Sequence, residues 1–276
     1  MSERGCWVYG ITDRNPGQDL TLPPGVAGGS VRTAPTDGLT ALVSDVDLAE
    51  FGEEALARNL EDLGWLEQVA RAHHHVIESA SRLLPVLPVS LATVYASEPS
   101  MTAAFAARCQ DFTEALAIVR DRVEWGVKVY AQPERTESER TEPGRTGPGP
   151  AREAPGTGTG AGSGGGTGLA YLKRRREQLN TRQESRRDAA AAARDVHSAL
   201  AGQAVRARLH PPQSPRLSGV DTPMLLNAAY LLDRAEDTAF QAAVAAVADA
   251  HPELRVELTG PWPPYSFAGD ARGDVP

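Results

Sequence analysis

Cys6-Trp-Val-Tyr-Gly-Ile-Thr12 is a near-continuous apolar run rich in β-branched and aromatic residues, the composition of a strand at the centre of a covered sheet. Leu39-Thr-Ala-Leu-Val-Ser44 reads as a second strand. Asp37-Gly38 before it signals a tight turn, so the segment around Val31-Arg-Thr33 is expected to pair with it as a hairpin. A helical stretch comes after it, with Leu63, Leu66, Val69, Ala70, His73, Val76, Ile77 and Ala80 at i, i+3, i+4 spacing. Leu87-Pro-Val-Ser-Leu-Ala-Thr-Val-Tyr95 comes next, and Pro85 and Pro88 confine its start to a sheet edge or a turn. A helix from Ser100 to Asp121 carries Phe105, Cys109, Phe112, Leu116 and Val119 on one face, and the strand Val123-Glu-Trp-Gly-Val-Lys-Val-Tyr130 closes the unit. That alternation reads as a ferredoxin-like α+β domain over residues 1–131.

Residues 132–168 hold 11 Gly and 5 Pro in 37 positions, with alanine as the only hydrophobic residue. Such a segment lacks the apolar surface to offset its ordering entropy and is expected to be a disordered linker. It contains G-x-G-x-x-G (Gly160, Gly162, Gly165), but no strand precedes it, so it is no dinucleotide fingerprint. Residues 169–276 are expected to form a C-terminal α/β domain opened by a long helix from Leu169 to Arg208. Leu172, Leu179, Arg186, Ala193 and Leu200 recur every seven residues, with Ala189 and Val196 between them. Alanine and arginine in that seam make it too weak for a self-sufficient coiled coil. After the Pro-rich turn from His210 to Pro215, Asn227-Ala-Ala-Tyr-Leu-Leu232 reads as strand, Asp237 to Ala250 as helix and Leu254 to Leu258 as strand.

The chain then runs Leu258-Thr-Gly-Pro-Trp-Pro-Pro-Tyr-Ser-Phe267. Proline fixes φ and has no N–H to donate, so this stretch is expected to leave the sheet ladder and run as a rigid extended tail. Trp262, Tyr265 and Phe267 carry enough apolar area to anchor it on the protein itself. Together with Asn227-Ala-Ala-Tyr-Leu231, Trp7-Val-Tyr-Gly-Ile11, Leu84-Pro-Val-Leu-Pro-Val89 and Gly168-Leu-Ala-Tyr-Leu172, the tail strongly resembles the gas vesicle synthesis family F/L (GvpF/GvpL). The matches lie in one order across nearly the whole chain outside the Gly/Pro-rich segment. One departure is local: the family's Leu-Pro-x-Arg-Phe-Gly-Thr-like run reads Leu87-Pro-Val-Ser-Leu-Ala-Thr93 here, which removes a guanidinium fork and an aromatic body at Ser90 and Leu91.

Charge and cysteine usage narrow the function classes. Net charge is −8, which argues against non-specific nucleic-acid binding. Up to Ala131 there are 10 Arg/Lys against 18 Asp/Glu; from Leu169 onward there are 14 against 13. Only Lys128 and Lys173 are lysines, and with abundant Ala, Gly and Pro this looks like a GC-rich coding bias rather than a choice of Arg for phosphate. Cys6 and Cys109 show no paired or metal-binding spacing and read as reduced core or edge residues. No signal peptide and no run of ~20 apolar residues is present, so a soluble cytoplasmic protein is expected, with no membrane partner.

No catalytic, metal-binding or cofactor-binding set emerges. His73, His74 and His75 are adjacent, about 100° apart around a helix, and do not converge on one metal. Asp45 and Asp47 share one face of a strand end, where solvated loop acids are the commoner reading. Ser44 and Ser90 have no G-x-S-x-G elbow around them. Lys173-Arg-Arg-Arg176 reads as a solvated first helical turn, and Arg272-Gly-Asp274 as a tail triplet with no extracellular context.

The resemblance implies a gas vesicle assembly accessory protein, without enzymatic activity, that binds the apolar shell-forming subunit and possible further accessory proteins, aiding nucleation or preventing aggregation. Residues expected to contact the partner are Trp7 and Tyr9 in the first sheet and Leu172 and Leu179 on the long helix. A small-molecule-binding regulatory module is the alternative, by fold analogy alone.

Overall fold

In the first sheet, β1 (Arg4–Thr12) lies between β3 (Leu39–Asp47) and the short strand β4 (Leu87–Pro88), and β2 (Arg32–Thr36) pairs with the outer side of β3. The structure is a computed structural model that describes residues 3–16, 20–132, 165–213 and 222–268. All these pairings are antiparallel. The β2–β3 hairpin turns at Asp37-Gly38, where Gly38 takes φ +75°, a conformation that glycine enters without a Cβ penalty. A bulge in β1 between Val8 and Gly10 inserts Tyr9 as an extra residue against β3. The insertion reverses the facing of the residues beyond it, so Cys6, Val8 and Ile11 enter one core while Trp7 and Tyr9 enter the other.

Behind Trp7 and Tyr9 packs α3 (Leu63–Ser81), preceded by the short helices α1 (Leu48–Phe51) and α2 (Glu53–Asn59). Asp62 starts α3 by accepting from the N–H groups of Gly64 and Trp65 at 2.8 and 3.2 Å. Its buried stripe is Val69, His73, Val76, Ile77 and Ala80, as the 3.6-residue period predicts. The run Leu87–Tyr95 is not one strand. It forms β4 and β5 (Val94–Tyr95), both on β1, with Ala92 at φ +67° in the intervening turn. The helix expected from Ser100 to Asp121 is likewise two: α4 (Glu98–Ala106), with a capping box between Ser97 and Ser100, and α5 (Cys109–Val119). No Pro or Gly marks that break, so the apolar periodicity runs through it.

The second sheet has the chain order β6 (Arg122–Ala131), α6 (Gly165–Ala201), β7 (Arg206–Leu209), β8 (Met224–Asp233), α7 (Asp237–Ala250), β9 (Leu254–Trp262), and its strands lie in the order β7–β8–β6–β9. This βαββαβ arrangement is the ferredoxin-like motif. The α+β class therefore stands, but the strand expected to close the first half opens the second: β6 pairs with β8 and β9, not with the first sheet. Position before the Gly/Pro-rich segment is what assigned it to the wrong side. Of that segment, 133–164 lies outside the described residues, Gln132 donates to the carbonyl of Glu253 at 2.9 Å, and Gly165 to Gly168 already belong to α6. The long helix ends at Ala201 rather than Arg208, because Arg206–Leu209 is taken up as an edge strand on β8.

Strand β9 also corrects the expectation that the prolines end the ladder. It runs on to Trp262, opposite Glu124, across an irregularity between Glu124 and Gly126 that takes in Gly260-Pro261. An edge strand with a bulge has room for a residue that cannot donate.

The layers run α3, first sheet, α4/α5, second sheet, α6/α7. One core cluster joins both halves: Val8 and Val43 of the first sheet, Phe105 and Phe112 of the helices, Ala229 and Leu231 of β8, and Phe267 and Ala268 of the tail.

Candidate functional site

Trp7 and Tyr9, expected as partner contacts, are completely buried. Trp7 Nε1–H donates to His73 Nδ1 at 3.0 Å. Indole has no acceptor to offer, so His73 is neutral with its proton on Nε2, 3.4 Å from the carbonyl of Val89. Burial holds its pKa down to about 4, with a small opposing effect from that carbonyl. Tyr9 stacks on the same imidazole at 5.4 Å; its hydroxyl is 2.7 Å from Ser44 Oγ and accepts the N–H of Val26 at 2.8 Å. The polar groups in this core satisfy one another and leave none facing a substrate. Ser44 is therefore bonded to a tyrosine rather than a base, and His73 has both ring nitrogens engaged. This is a structural network.

The remaining residues singled out from the sequence are also accounted for. Asp45 pairs with Arg32 at 3.0 Å, and Asp47 caps α1 through Ala49 N–H at 2.9 Å. Cys6 is buried, its thiol pKa raised to about 11 by burial, and both cysteines are free. No group of three or more His, Cys, Asp or Glu suited to a metal occurs among the described residues. No helix among them is long and apolar enough to cross a membrane. Ser90 is exposed, and the Arg272-Gly-Asp274 triplet lies outside the described residues.

The tail anchors divide. Phe267 is 8% exposed and sits in the core shared by the two halves, whereas Trp262 is 42% exposed on the surface. Tyr265 lies between them, its hydroxyl 2.9 Å from Nδ1 of His74 on α3, and the Trp262 ring meets the same imidazole edge-on at 5.5 Å. The tail thus leaves the second sheet and closes on a helix of the first half. Its turn is fastened by Glu124, a buried carboxylate that accepts from Ser266 N–H and Oγ, each at 2.7 Å. Arg208 donates to the Ser266 carbonyl, and His210 Nε2 is 3.1 Å from Ser266 Oγ. Sequence reading missed Glu124, and it weighed His74 only as a metal ligand rather than as a partner of Tyr265. The available signal was a single acid inside the strand Val123–Tyr130, whose one other charged residue is Lys128.

Leu172 and Leu179 are, by contrast, open to solvent, at 64% and 52% exposure, next to Tyr171 at 66%. Helix α6 is 37 residues, about 55 Å, and outruns the sheet it covers. Its sheet-facing seam is Ala189, Ala192, Ala193, Val196 and Leu200. Leu179 and Leu172 lie 14 and 21 residues before Ala193, on the same seam continued beyond the sheet. Lys173, Arg174, Arg175 and Arg176 are exposed beside them. The result is a projecting basic arm with an uncovered apolar stripe.

The sequence profile of the gas vesicle synthesis protein GvpL/GvpF family matches residues 5–269. The chain is 37% identical over 274 residues to gas vesicle protein L of a Streptomyces species, covering 99% of this chain and 96% of that one. It is 24% identical over 271 residues to gas vesicle protein F2 of Halobacterium salinarum, covering 97% and 93%. Its fold is similar to the crystal structure of gas vesicle protein GvpF from an Anabaena species, with a TM-score of 0.61, 19% identity and 96% of each chain covered. The GvpF structure from Microcystis aeruginosa aligns with the same TM-score at 18% identity, covering 96% and 98%.

Proposed function

Because the chain belongs to the gas vesicle synthesis protein GvpL/GvpF family, we propose that it is a non-enzymatic accessory protein of gas vesicle assembly that binds the apolar, shell-forming subunit. The observation that supports this reading is the arm of α6, where Tyr171, Leu172 and Leu179 stay exposed although the seam residues Ala189, Ala193, Val196 and Leu200 are covered. Apolar groups held together on a surface favour contact with another apolar surface. A shell-forming subunit exposes such surfaces before it polymerises, and an amphipathic helix laid against it would cover them until the subunit is handed to the growing wall. The neighbouring Lys173 to Arg176 keep the arm solvated while it is unoccupied, and their aliphatic stems widen the apolar strip on contact.

In this reading Trp7 and Tyr9 serve indirectly, by holding α3 on the first sheet. The role of binding partner passes to the exposed members of the expected set, Leu172 and Leu179. Co-expression with the shell subunit followed by affinity capture tests it. Wild-type protein should retain the subunit, and Leu172→Ser/Leu179→Ser should retain at least tenfold less at equal soluble yield. Equal retention by the variant would remove the arm from the interface, and no retention by wild type would remove the proposed partner.

A further inference from the structure

A cleft of about 590 Å³ opens where the end of α3, the turn from α5 into β6 and the tail meet. Its volume falls in the range of ligand sites, which concentrate at junctions between structural units. Leu84, Val86, Pro261 and Trp262 are among its apolar lining residues. The Trp262 ring remains 42% exposed here, although its neighbours Pro263 and Pro264 are buried.

The polar lining carries an imbalance of charge. Arg14, Arg82, Arg122 and Arg234 line the cleft against the two acids Glu78 and Asp121, and with Asp233, which holds Arg122, a surplus of one positive charge remains in a chain whose net charge is −8. Glu78 is taken by Arg82 at 2.7 Å, and Arg122 is held by Asp233 at 2.8 Å. Arg14 and Arg234 form no ion pair among the described residues, and the Arg234 guanidinium donates to the Ser81 carbonyl at 3.5 Å. Ser81 also lines the cleft, and its hydroxyl is buried without a hydrogen-bond partner among the described residues. A buried hydroxyl without a partner is uncommon.

We propose that this cleft is a binding site, separate from the α6 arm, for an extended peptide segment carrying an acidic side chain beside apolar residues. The carboxylate sits between Arg14 and Arg234, whose planar guanidinium groups suit a carboxylate's two oxygens. The apolar residues lie on Trp262 and the prolines, in the manner of grooves that recognise extended peptides on aromatic surfaces. Charge complementarity selects the acidic segment, because a basic one would bring its cations against Arg14 and Arg234.

An array of immobilised heptapeptides tests the proposal, with net charge stepped from −3 to +3 in a Leu, Pro and Gly background and the full-length protein applied in solution. Wild type should be retained by the acidic peptides, saturably and less at high salt. Arg14→Glu/Arg234→Glu should lose at least tenfold of that retention, and Trp262→Ala at least fivefold, with melting temperatures recorded for each variant. Leu172→Ser/Leu179→Ser should leave it unchanged, which separates this site from the proposed shell-subunit surface. Retention that ignores peptide charge, that persists in the double arginine variant, or that is absent for every peptide overturns the proposal. Saturable inorganic phosphate binding, seen by tryptophan fluorescence with no peptide retained, would assign the cleft to a small anion and overturn it as well.

Discussion

The indole N–H of Trp7 donates to Nδ1 of His73 at 3.0 Å across 66 residues of sequence, and this one contact fixes the imidazole as a neutral acceptor. Protonating His73 would turn that acceptor into a donor facing another donor, inside a core where both residues are at most 3% exposed. Burial accordingly lowers its pKa from 6.5 to about 4. The unfolded chain then takes up a proton before the folded one does. The contribution is present in full above about pH 6.5 and is lost as pH falls toward about 4. Between pH 7 and pH 5 the protein should lose about 2 kcal/mol of stability from this residue. Urea unfolding at the two pH values measures it, and His73→Gln, whose amide can still accept from Trp7, should flatten that difference. An equal loss in the variant would place the acid sensitivity elsewhere.

Gly25 lies against the same network. A Cβ built there would meet the Tyr9 hydroxyl oxygen at 2.0 Å, a distance no packing adjustment of the backbone absorbs cheaply. Gly25→Ala should push the Tyr9 ring off Ser44 and Val26, leaving buried polar groups unpaired, at a cost of roughly 2–4 kcal/mol. Removing the hydroxyl instead, in Gly25→Ala/Tyr9→Phe, should recover part of the loss. A single variant as stable as wild type in urea would show that the approach is not tight.

The tail predicts two unequal substitutions. Phe267 is buried in the core that joins the halves, so Phe267→Ala should cost ~3–5 kcal/mol. Trp262 keeps 42% of its surface exposed, and Trp262→Ala should cost no more than ~1–2 kcal/mol despite the larger ring. Thermal unfolding of the two variants decides it, and the reverse order would mean that the tail is held from Trp262 rather than from Phe267.

Much of this arrangement could be read before the structure. The buried strand at Cys6–Thr12, the Asp37-Gly38 hairpin, the stripe of α3 and the bounds of α7 all come from periodicity and turn chemistry acting locally. Where reading failed, the deciding interaction was distant in sequence. Strand β6 was assigned by its neighbours in the chain, yet its ladders run to β8 and β9, about 100 and about 130 residues on. Arg206-Ala-Arg-Leu209 alternates for only four residues, all of them exposed, so its pairing with β8 rather than its pattern makes it strand. Trp7 and Tyr9 looked like a partner surface since an aromatic strand reads alike whether a helix or another protein covers it. The layer supplied by α3 settled which.

Helix α6 offers the sharpest energetic contrast, since one seam passes from core to solvent along a single element. Leu200 is fully buried against the second sheet and Leu179 is 52% exposed, three heptads apart on the same face. Helix propensity treats the two leucines alike, so any difference in cost on truncation comes from packing. Leu200→Ala removes buried methyl groups and leaves a cavity, and should lower stability by ~2–5 kcal/mol. Leu179→Ala removes groups that water already reaches and should stay within about 0.5 kcal/mol. Chemical denaturation of each single variant, without any partner present, is the measurement. A cost at Leu179 comparable to that at Leu200 would mean that the arm packs on the protein itself in solution, which would end its candidacy as a partner surface.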